Sequence, residues 1–451
     1  MGPLRRLGLV ALAVLFLVAV GALASLGDPA DDEAGPTGTT TATRPLPPAR
    51  AARTVAELQP ERVLRRVEQL RGLRIRRRPR FVVLTPKQAG RRVERAEERE
   101  SGGAVTEREE RTNLALTTLL GLLPPDIDLD DLGRRVTTQG TLGFYDGERN
   151  EMAIIARSKR RLPVGVETTL AHELTHAIDD QHFGVLDRVI ARRDDADAEL
   201  AYRSVVEGNA SEVEERYRRR YRIPQPDPTG DAEQQALVRD LPYGLRLQLG
   251  FPYALGQVFV DALRAQPGGE RLLDRALRAD PPRTSVEILD PSRWIRRTPT
   301  VRTPLRPAPV LGRGWTALDR DTIGAADVLA LLAPVEAESG NAALVARAWQ
   351  GGAYRYYRRG GAAERGCDLP CSSRDAVVAS VAFTGPTDAQ AFATQFGRIL
   401  EQQRKATSAG TAVWRIGGGG AAIGIDGRRI TFAYAPTPRL AIELVREAPR
   451  G

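Results

Sequence analysis

Residues 168–176 read Thr-Thr-Leu-Ala-His-Glu-Leu-Thr-His, and we predict that they lie on a helix that runs from about residue 166 to residue 182. Positions four apart lie nearly above one another on a helix, so the imidazoles of His172 and His176 leave the same face one turn apart. Two imidazoles in this arrangement can bind one zinc ion. Glu173 stands beside them, where its carboxylate can act as the general base that takes a proton from a zinc-activated water. The stretch therefore predicts a zinc-dependent hydrolytic site.

The composition of the chain limits the alternatives. Its 451 residues include three histidines, and all of them fall between positions 172 and 182. The two cysteines exclude a disulfide-rich miniature scaffold and a four-cysteine zinc or iron–sulfur site. The net charge of +9 comes from 66 basic and 57 acidic residues that are mostly interleaved along the chain. Because no nucleic-acid-binding motif accompanies the basic clusters, we expect no nucleic-acid partner.

A catalytic zinc site needs a third protein ligand and leaves the fourth position for water. His182 is one candidate, because it completes the spacing H-E-x-x-H-x-x-x-x-x-H of the metzincins. In that motif a glycine lets the chain turn toward the metal, but this chain has Asp179 at the position. Glu207 is the other candidate, since small residues between 204 and 211 allow its helix to approach the metal helix closely. We favour Glu207 as the third ligand, and His182 remains the alternative.

Other polar residues near the motif have more than one reading. His182 is either a structural histidine or a group that lines the cleft and stabilises an oxyanion, for which Tyr253 is a second, weaker candidate. Asp179 or Asp180 could accept the second N–H of a ligand histidine, or could be a surface acid near the helix end. The glutamates at 212–215 stand among arginines, and we expect them to face solvent.

The remaining pattern predicts an α+β fold with two folded domains. A hairpin of strands at about 141–145 and 151–156 precedes the metal helix, and an edge strand of this kind can pair with an extended peptide. Beyond residue 336 we predict strands at 376–383, 412–416, 421–425, 429–434 and 440–445 with a helix at 389–402. We therefore divide the chain into residues 1–27 (anchor or signal peptide), 28–53 (stalk), 54–315 (metallopeptidase domain), 316–335 (connector) and 336–451 (C-terminal α+β domain).

The N-terminus predicts a location outside the cytoplasm. Arg5 and Arg6 precede twenty uncharged residues, 7–26, which are long enough to span a membrane as a helix and also resemble a signal peptide. We expect a single-pass membrane protein or a secreted one. In such an oxidising compartment Cys367 and Cys371 are expected to form a local disulfide.

Four segments carry a resemblance to a known family. They are HELTHAIDDQHF at 172–183, VEGNA at 206–210, GFYD at 143–146 and PPRTSVEIL at 281–289. Together they resemble bacterial extracytoplasmic neutral zinc metallopeptidases of the gluzincin (peptidase MA-like) type, over about residues 55–315. The resemblance implies a zincin-like, helix-rich domain with a small sheet.

The same resemblance implies the roles of individual residues. His172, His176 and Glu207 are the implied zinc ligands and Glu173 is the implied base, whereas Asn209 stands where relatives tend to have aspartate. We therefore expect a zinc endopeptidase that acts on peptide or protein substrates. The alternatives are a non-catalytic envelope or binding protein with a structural metal site, and a zinc amidase that acts on cell-wall amide bonds.

Overall fold

The computed structural model describes residues 54–100, 107–124, 142–156, 165–192, 194–224, 240–301, 305–333, 339–360 and 373–448, together with residues 127, 128, 132, 135, 162, 303 and 371. These residues form a mixed α+β structure with two sheets, one of three strands and one of seven. The predicted α+β class is therefore confirmed.

The N-terminal part is mostly helical. Its helices and strands are α1 (Val55–Leu58), α2 (Pro60–Arg71), β1 (Arg80–Leu84), α3 (Pro86–Glu100), α4 (Glu107–Leu119), β2 (Gly143–Asp146), β3 (Glu151–Ile155), α5 (Val166–Phe183), α6 (Val185–Ile190), α7 (Ala196–Tyr221), α8 (Tyr243–Arg264), α9 (Gly269–Leu277), α10 (Ser285–Leu289) and α11 (Pro291–Arg296). In the small sheet β3 lies in the centre, parallel to β1 and antiparallel to β2, so β2 is an edge strand.

The C-terminal part contains the larger sheet. Its elements are β4 (Trp315–Asp321), α12 (Ala325–Leu332), α13 (Ser339–Arg347), β5 (Trp349–Arg359), β6 (Asp375–Phe383), α14 (Pro386–Gln403), β7 (Thr407–Gly410), β8 (Val413–Ile416), β9 (Gly419–Asp426), β10 (Arg429–Ala435) and α15 (Pro438–Glu447). The strand order is β4-β5-β6-β10-β9-β8-β7, and every neighbouring pair is antiparallel.

Two glycines set the ends of helix α5. Gly165 precedes it with φ 93°, and Gly184 follows it with φ 64°. Both angles lie in the left-handed region that glycine adopts at little cost, so the chain can change direction at each end. The amide of Gly184 donates to the carbonyl of Asp180, which closes the last turn. The helix is therefore confined to the residues that carry the H-E-x-x-H motif and its flanks.

One hydrophobic core spans both parts of the chain. It contains Val205 of α7 and Phe259 of α8 together with Val328, Trp349 and Phe432 of the C-terminal part, and each of these side chains is buried. A second core lies between α2, α5 and β3. Because the first core is continuous, the C-terminal part packs against the helices of the N-terminal part.

The predicted connector at 316–335 is wrong. Trp315–Asp321 forms β4, which pairs with β5 at the edge of the seven-stranded sheet, and Ala325–Leu332 forms α12. The C-terminal unit therefore begins near residue 315 and not at residue 336.

The strand predicted at 440–445 is also wrong, because Pro438–Glu447 is helical. The side chain of Thr437 accepts a hydrogen bond from the amide of Leu440, and Pro438 occupies the first turn, where a missing N–H costs nothing. Ala441 and Leu444, three positions apart, are the buried residues of one helix face.

Two further predictions are corrected. No helix among the described residues is long and apolar enough to cross a membrane, and the predicted span at 7–26 lies outside the described part of the chain. No disulfide joins two described residues, since Cys371 is described and Cys367 is not. The amide of Cys371 donates to Asp375. The described residues thus contain no membrane-spanning helix, and the predicted Cys367–Cys371 bond involves Cys367, which lies outside them.

Candidate metal centre

The structure brings the three predicted ligands together. Glu207 Oε2 lies 3.3 Å from His172 Nε2 and 3.3 Å from His176 Nε2. The two imidazole rings stand nearly perpendicular, with their centroids 4.7 Å apart. Zinc binds histidine nitrogen and carboxylate oxygen at about 2.0–2.2 Å in tetrahedral sites, which places neighbouring ligand atoms about 3.3–3.6 Å apart. The observed spacing therefore fits a zinc ion that is held by all three side chains.

Two of the three side chains, those of His172 and Glu207, are buried, and the third, that of His176, is partly exposed. His172 is 3% exposed and Glu207 2% exposed, whereas the side chain of His176 retains 17% of its exposure. A substrate or water would therefore approach on the side of His176. A catalytic metal site would need such an accessible side, because one coordination position has to remain open to water or substrate.

Glu173 is held beside the imidazoles by the edge strand. Its Oε2 accepts a hydrogen bond from the backbone N–H of Tyr145 on β2, at 3.0 Å. Its Oε1 is buried and has no hydrogen-bond partner among the described residues. Burial raises the pKa of Glu173. One oxygen thus fixes the carboxylate, and the other remains available to a water molecule.

Two carboxylates, those of Glu173 and Glu207, lie close to the imidazoles. The ligand atoms of His172, Glu173 and His176 all lie within 4.8 Å of one another, so Glu173 is near enough to be considered as a ligand. We assign the ligand role to Glu207 because it contacts both Nε2 atoms directly, whereas Glu173 is bonded to the backbone of Tyr145.

The imidazoles and carboxylates of this cluster shift one another's pKa values. Burial alone would lower the pKa of His172, but its hydrogen bonds to Glu207 and Glu214 outweigh burial and raise the pKa to about 10. Burial likewise opposes the charge of Glu207, yet the two imidazoles lower its pKa. A zinc ion would compete with protons for the same nitrogen atoms, so metal binding is expected to release protons.

Helix α7 reaches this position because it crosses α8 at very short range. A Cβ atom added to Gly208 would lie 2.1 Å from the carbonyl carbon of Gly256, and one added to Gly256 would lie 2.0 Å from the carbonyl oxygen of Ser204. We expected the small residues at 204–211 to let α7 approach the metal helix. Ser204 and Gly208 instead permit the close contact of α7 with α8. This contact supports the part of α7 that carries Glu207.

Glu214 lies at the site, although the sequence predicted that it would face solvent. Its Oε2 lies 3.2 Å from His172 Nδ1, and the residue is 7% exposed. Glu212 is equally buried and pairs with Arg264. Of the three glutamates at 212–215, Glu215 comes nearest to the prediction, since it pairs with Arg218 and Arg219 on the outer side of the helix.

The structure gives His182 and the two aspartates other partners. His182 Nε2 donates to the carbonyl oxygen of Arg74 at 2.8 Å, which fits the structural role considered for it. Asp179 accepts hydrogen bonds from Arg71 at 2.7 Å and from Asn209 at 2.5 Å. Asp180 accepts from the amide of Leu186 at the start of α6. The carboxylate that contacts Nδ1 of His172 is therefore that of Glu214.

Tyr253 on α8 lies against the centre. Its ring stacks on that of His172 with centroids 6.0 Å apart, and it is 2% exposed. Burial and the nearby carboxylates of Glu207 and Glu173 raise the pKa of Tyr253, so its hydroxyl stays protonated. The residue is both a core tyrosine and a neighbour of the proposed ligands.

Comparison with known proteins concerns the C-terminal unit. Residues 313–444 match the profile of a family described as a domain of unknown function, DUF8575. This span includes the whole seven-stranded sheet, from β4 to β10. No curated protein and no solved structure matches the chain.

Proposed function

We propose that the protein is a zinc-dependent peptidase with a zincin-like catalytic unit and that His172, His176 and Glu207 hold the metal. The observation that carries this proposal is the position of Glu207 Oε2, 3.3 Å from both imidazole Nε2 atoms. The N-terminal segment supports a location outside the cytoplasm, although it lies outside the described residues.

The proposed chemistry uses the two carboxylates differently. Bound zinc supplies a Lewis acid that polarises a scissile carbonyl and lowers the pKa of water. Glu207, ionised and shared between two imidazoles, holds charge at the metal position. Glu173, whose buried carboxylate has a raised pKa, takes the proton of the attacking water on Oε1 and passes it to the leaving amine. The Tyr145 amide keeps Glu173 oriented through both steps.

The edge strand β2 supports a peptide as the substrate. Ile155 donates to the carbonyl of Leu142, so the β2–β3 ladder is bonded at Leu142 and, by alternation, at Phe144 and Asp146. The backbone groups of Gly143 and Tyr145 therefore face away from β3. The N–H of Tyr145 donates to Glu173, so an extended peptide that added to this edge would bond to the backbone groups of Gly143 and to the carbonyl of Tyr145, directly beside Glu173.

The test combines metal analysis with cleavage of an unbiased peptide library. We expect one zinc per chain, cleavage that a chelator abolishes, and recovery on adding zinc. The variant Glu173→Gln should retain zinc and lose cleavage by roughly 10²–10⁴-fold, since it cannot accept the proton. Glu215→Gln, on the outer side of α7, is the matched control and should retain both properties. Full cleavage by the Glu173→Gln protein would refute the proposed role of Glu173.

A further inference from the structure

The ring of His172 lies between two carboxylates of one helix. Glu207 approaches Nε2 at 3.3 Å, and Glu214 approaches Nδ1 at 3.2 Å. All three residues are at least nine-tenths buried. Solvent therefore cannot easily replace either contact, and the orientation of the ring is set by the two carboxylates together.

The spacing of the two glutamates explains how one helix supplies both contacts. Seven positions make two turns, so Glu207 and Glu214 lie on the same face of α7 with about 10 Å between their backbone positions. Ala210 and Ser211 lie between them along the helix and are fully buried. Because these side chains are small, an imidazole from α5 has room between the two carboxylates.

A neutral imidazole can bind a metal only through the nitrogen that lacks a proton. When one ring nitrogen donates its N–H to a carboxylate, the other nitrogen is left with the lone pair directed at the metal. The contact between Glu214 and Nδ1 thus selects the tautomer in which Nε2 is the ligand atom. This is also the nitrogen that faces Glu207.

We propose that Glu214 is a positioning residue of the metal centre, which fixes the tautomer and orientation of His172 by accepting the hydrogen bond from Nδ1–H. This inference rests on the metal site proposed above. It adds a fifth residue to the three ligands and Glu173, one that touches neither metal nor substrate. It also makes α7 the source of both a ligand and the group that orients another ligand.

The first experiment measures zinc affinity by competition with a chromophoric chelator. Glu214→Ala removes the acceptor and should weaken zinc binding by about 10- to 100-fold. Glu214→Gln keeps an oxygen that can accept the same hydrogen bond, so its loss should be smaller. Glu215→Ala, the next residue on the same helix, is the matched control and should bind zinc as the wild type does. Equal affinity in all four proteins would overturn the proposal.

The second experiment observes the ring itself and keeps the proposal testable if a variant is less stable. The chain has only three histidines, so selective ¹⁵N-histidine labelling gives three imidazole spin systems. In the zinc-saturated wild type, one imidazole should carry a proton on Nδ1 that exchanges slowly with water and resonates far downfield. Glu214→Ala should lose this signal at saturating zinc, and Glu214→Gln should retain it. An unchanged Nδ1 signal in Glu214→Ala would show that another group orients His172.

Failure of this inference is distinguishable from failure of the proposed function. If the wild type binds no zinc, the metal site itself is refuted. If the wild type binds one zinc and Glu214→Ala binds it equally well with the same Nδ1 signal, only the role of Glu214 is refuted.

Discussion

Replacing Gly208 with alanine tests the helix crossing that positions Glu207. In an exposed helix this substitution would stabilise the protein by about 1 kcal/mol, because glycine is a poor helix former. Here the added Cβ would lie 2.1 Å from a carbonyl carbon of α8, whereas ordinary van der Waals contact begins at 3.4 Å. The neighbouring atoms are backbone, so relief requires the two helices to separate by about 1 Å.

The expected effect of Gly208→Ala follows from these two opposing terms. Forcing a methyl group into a packed interior costs about 1–3 kcal/mol, and a backbone contact this short belongs at the upper end of that range. After the gain in helix propensity, we expect a net destabilisation of about 1–2 kcal/mol. Because Glu207 is the preceding residue, displacement of α7 should also weaken zinc binding, by about tenfold or more.

The assay pairs urea unfolding of the metal-free protein with a zinc titration. Gly385→Ala is the control, because a Cβ there would meet only Asp388 Oδ2 at 3.6 Å and the backbone φ of −143° suits any residue. We expect a lower unfolding midpoint and weaker zinc binding for Gly208→Ala, and little change for Gly385→Ala. A higher midpoint for Gly208→Ala with unchanged zinc affinity would refute the close crossing and its link to the metal site.

Three further predictions concern the ligands, the acid groups and the metal. Glu207→Ala should lower the free energy of zinc binding by roughly 3–5 kcal/mol, about a third of that of a typical site. His182→Ala should leave zinc affinity unchanged in isothermal titration. If His182→Ala weakened binding more than Glu207→Ala did, the third ligand would be His182. Burial raises the pKa of Asp327 to about 6, so the folded protein holds the proton of this carboxyl more tightly than the unfolded chain does. The protonated carboxyl therefore contributes to the free energy of unfolding below about pH 4, and this contribution is lost as the pH rises through about 6. Asp327→Asn should therefore gain stability over the wild type between pH 4 and pH 7 in thermal melts, by roughly 3 kcal/mol, and parallel pH profiles would contradict this. Chelation of zinc should lower the thermal midpoint, since zinc at 1,000 times its Kd stabilises the fold by about 4 kcal/mol, and an unchanged midpoint would show that zinc does not bind the native state.

The helical periodicity of the motif was enough to predict the helix that brings the two imidazoles to one face. The structure places His172, Glu173 and His176 on a helix over Val166–Phe183, close to the predicted 166–182. Glu207 could be singled out because it stands among small residues, and it does lie between the two imidazoles. The reason for the small residues was misjudged in part: Ser204 and Gly208 contact α8 and not α5, because sequence spacing does not show which of two neighbouring helices a small residue faces.

Glu214 could not be recognised because its sequence surroundings are those of a surface helix. Arg216 and Arg218–Arg220 follow it, and a run of mixed charges usually faces solvent. One sequence signal could have identified Glu214: it follows Glu207 by seven positions, and residues seven apart lie on the same face of a helix. Burial by α5 is a tertiary effect that no local pattern contains.

The C-terminal errors have a similar physical origin. Residues 440–445 are apolar enough for a strand, but the Thr-Pro pair at 437–438 is a helix start and should have been weighed against it. The boundary at 336 was misplaced because β4 is separated from its partner β5 by two helices. Pairing between strands so far apart in the sequence is decided by tertiary packing. It leaves no hydrophobic periodicity near residue 315 that would mark the start of the C-terminal unit.

The most direct test of the account is the position and ligand set of zinc in a crystal, located by anomalous diffraction at the zinc edge. We predict one ion held by Nε2 of His172, Nε2 of His176 and an oxygen of Glu207, at about 2.0–2.2 Å, with its fourth position not occupied by a protein group. Glu214 should remain bonded to Nδ1 of His172. A zinc ion elsewhere in the chain, an empty centre in zinc-saturated crystals, or a fourth protein ligand that closes the site would contradict the account.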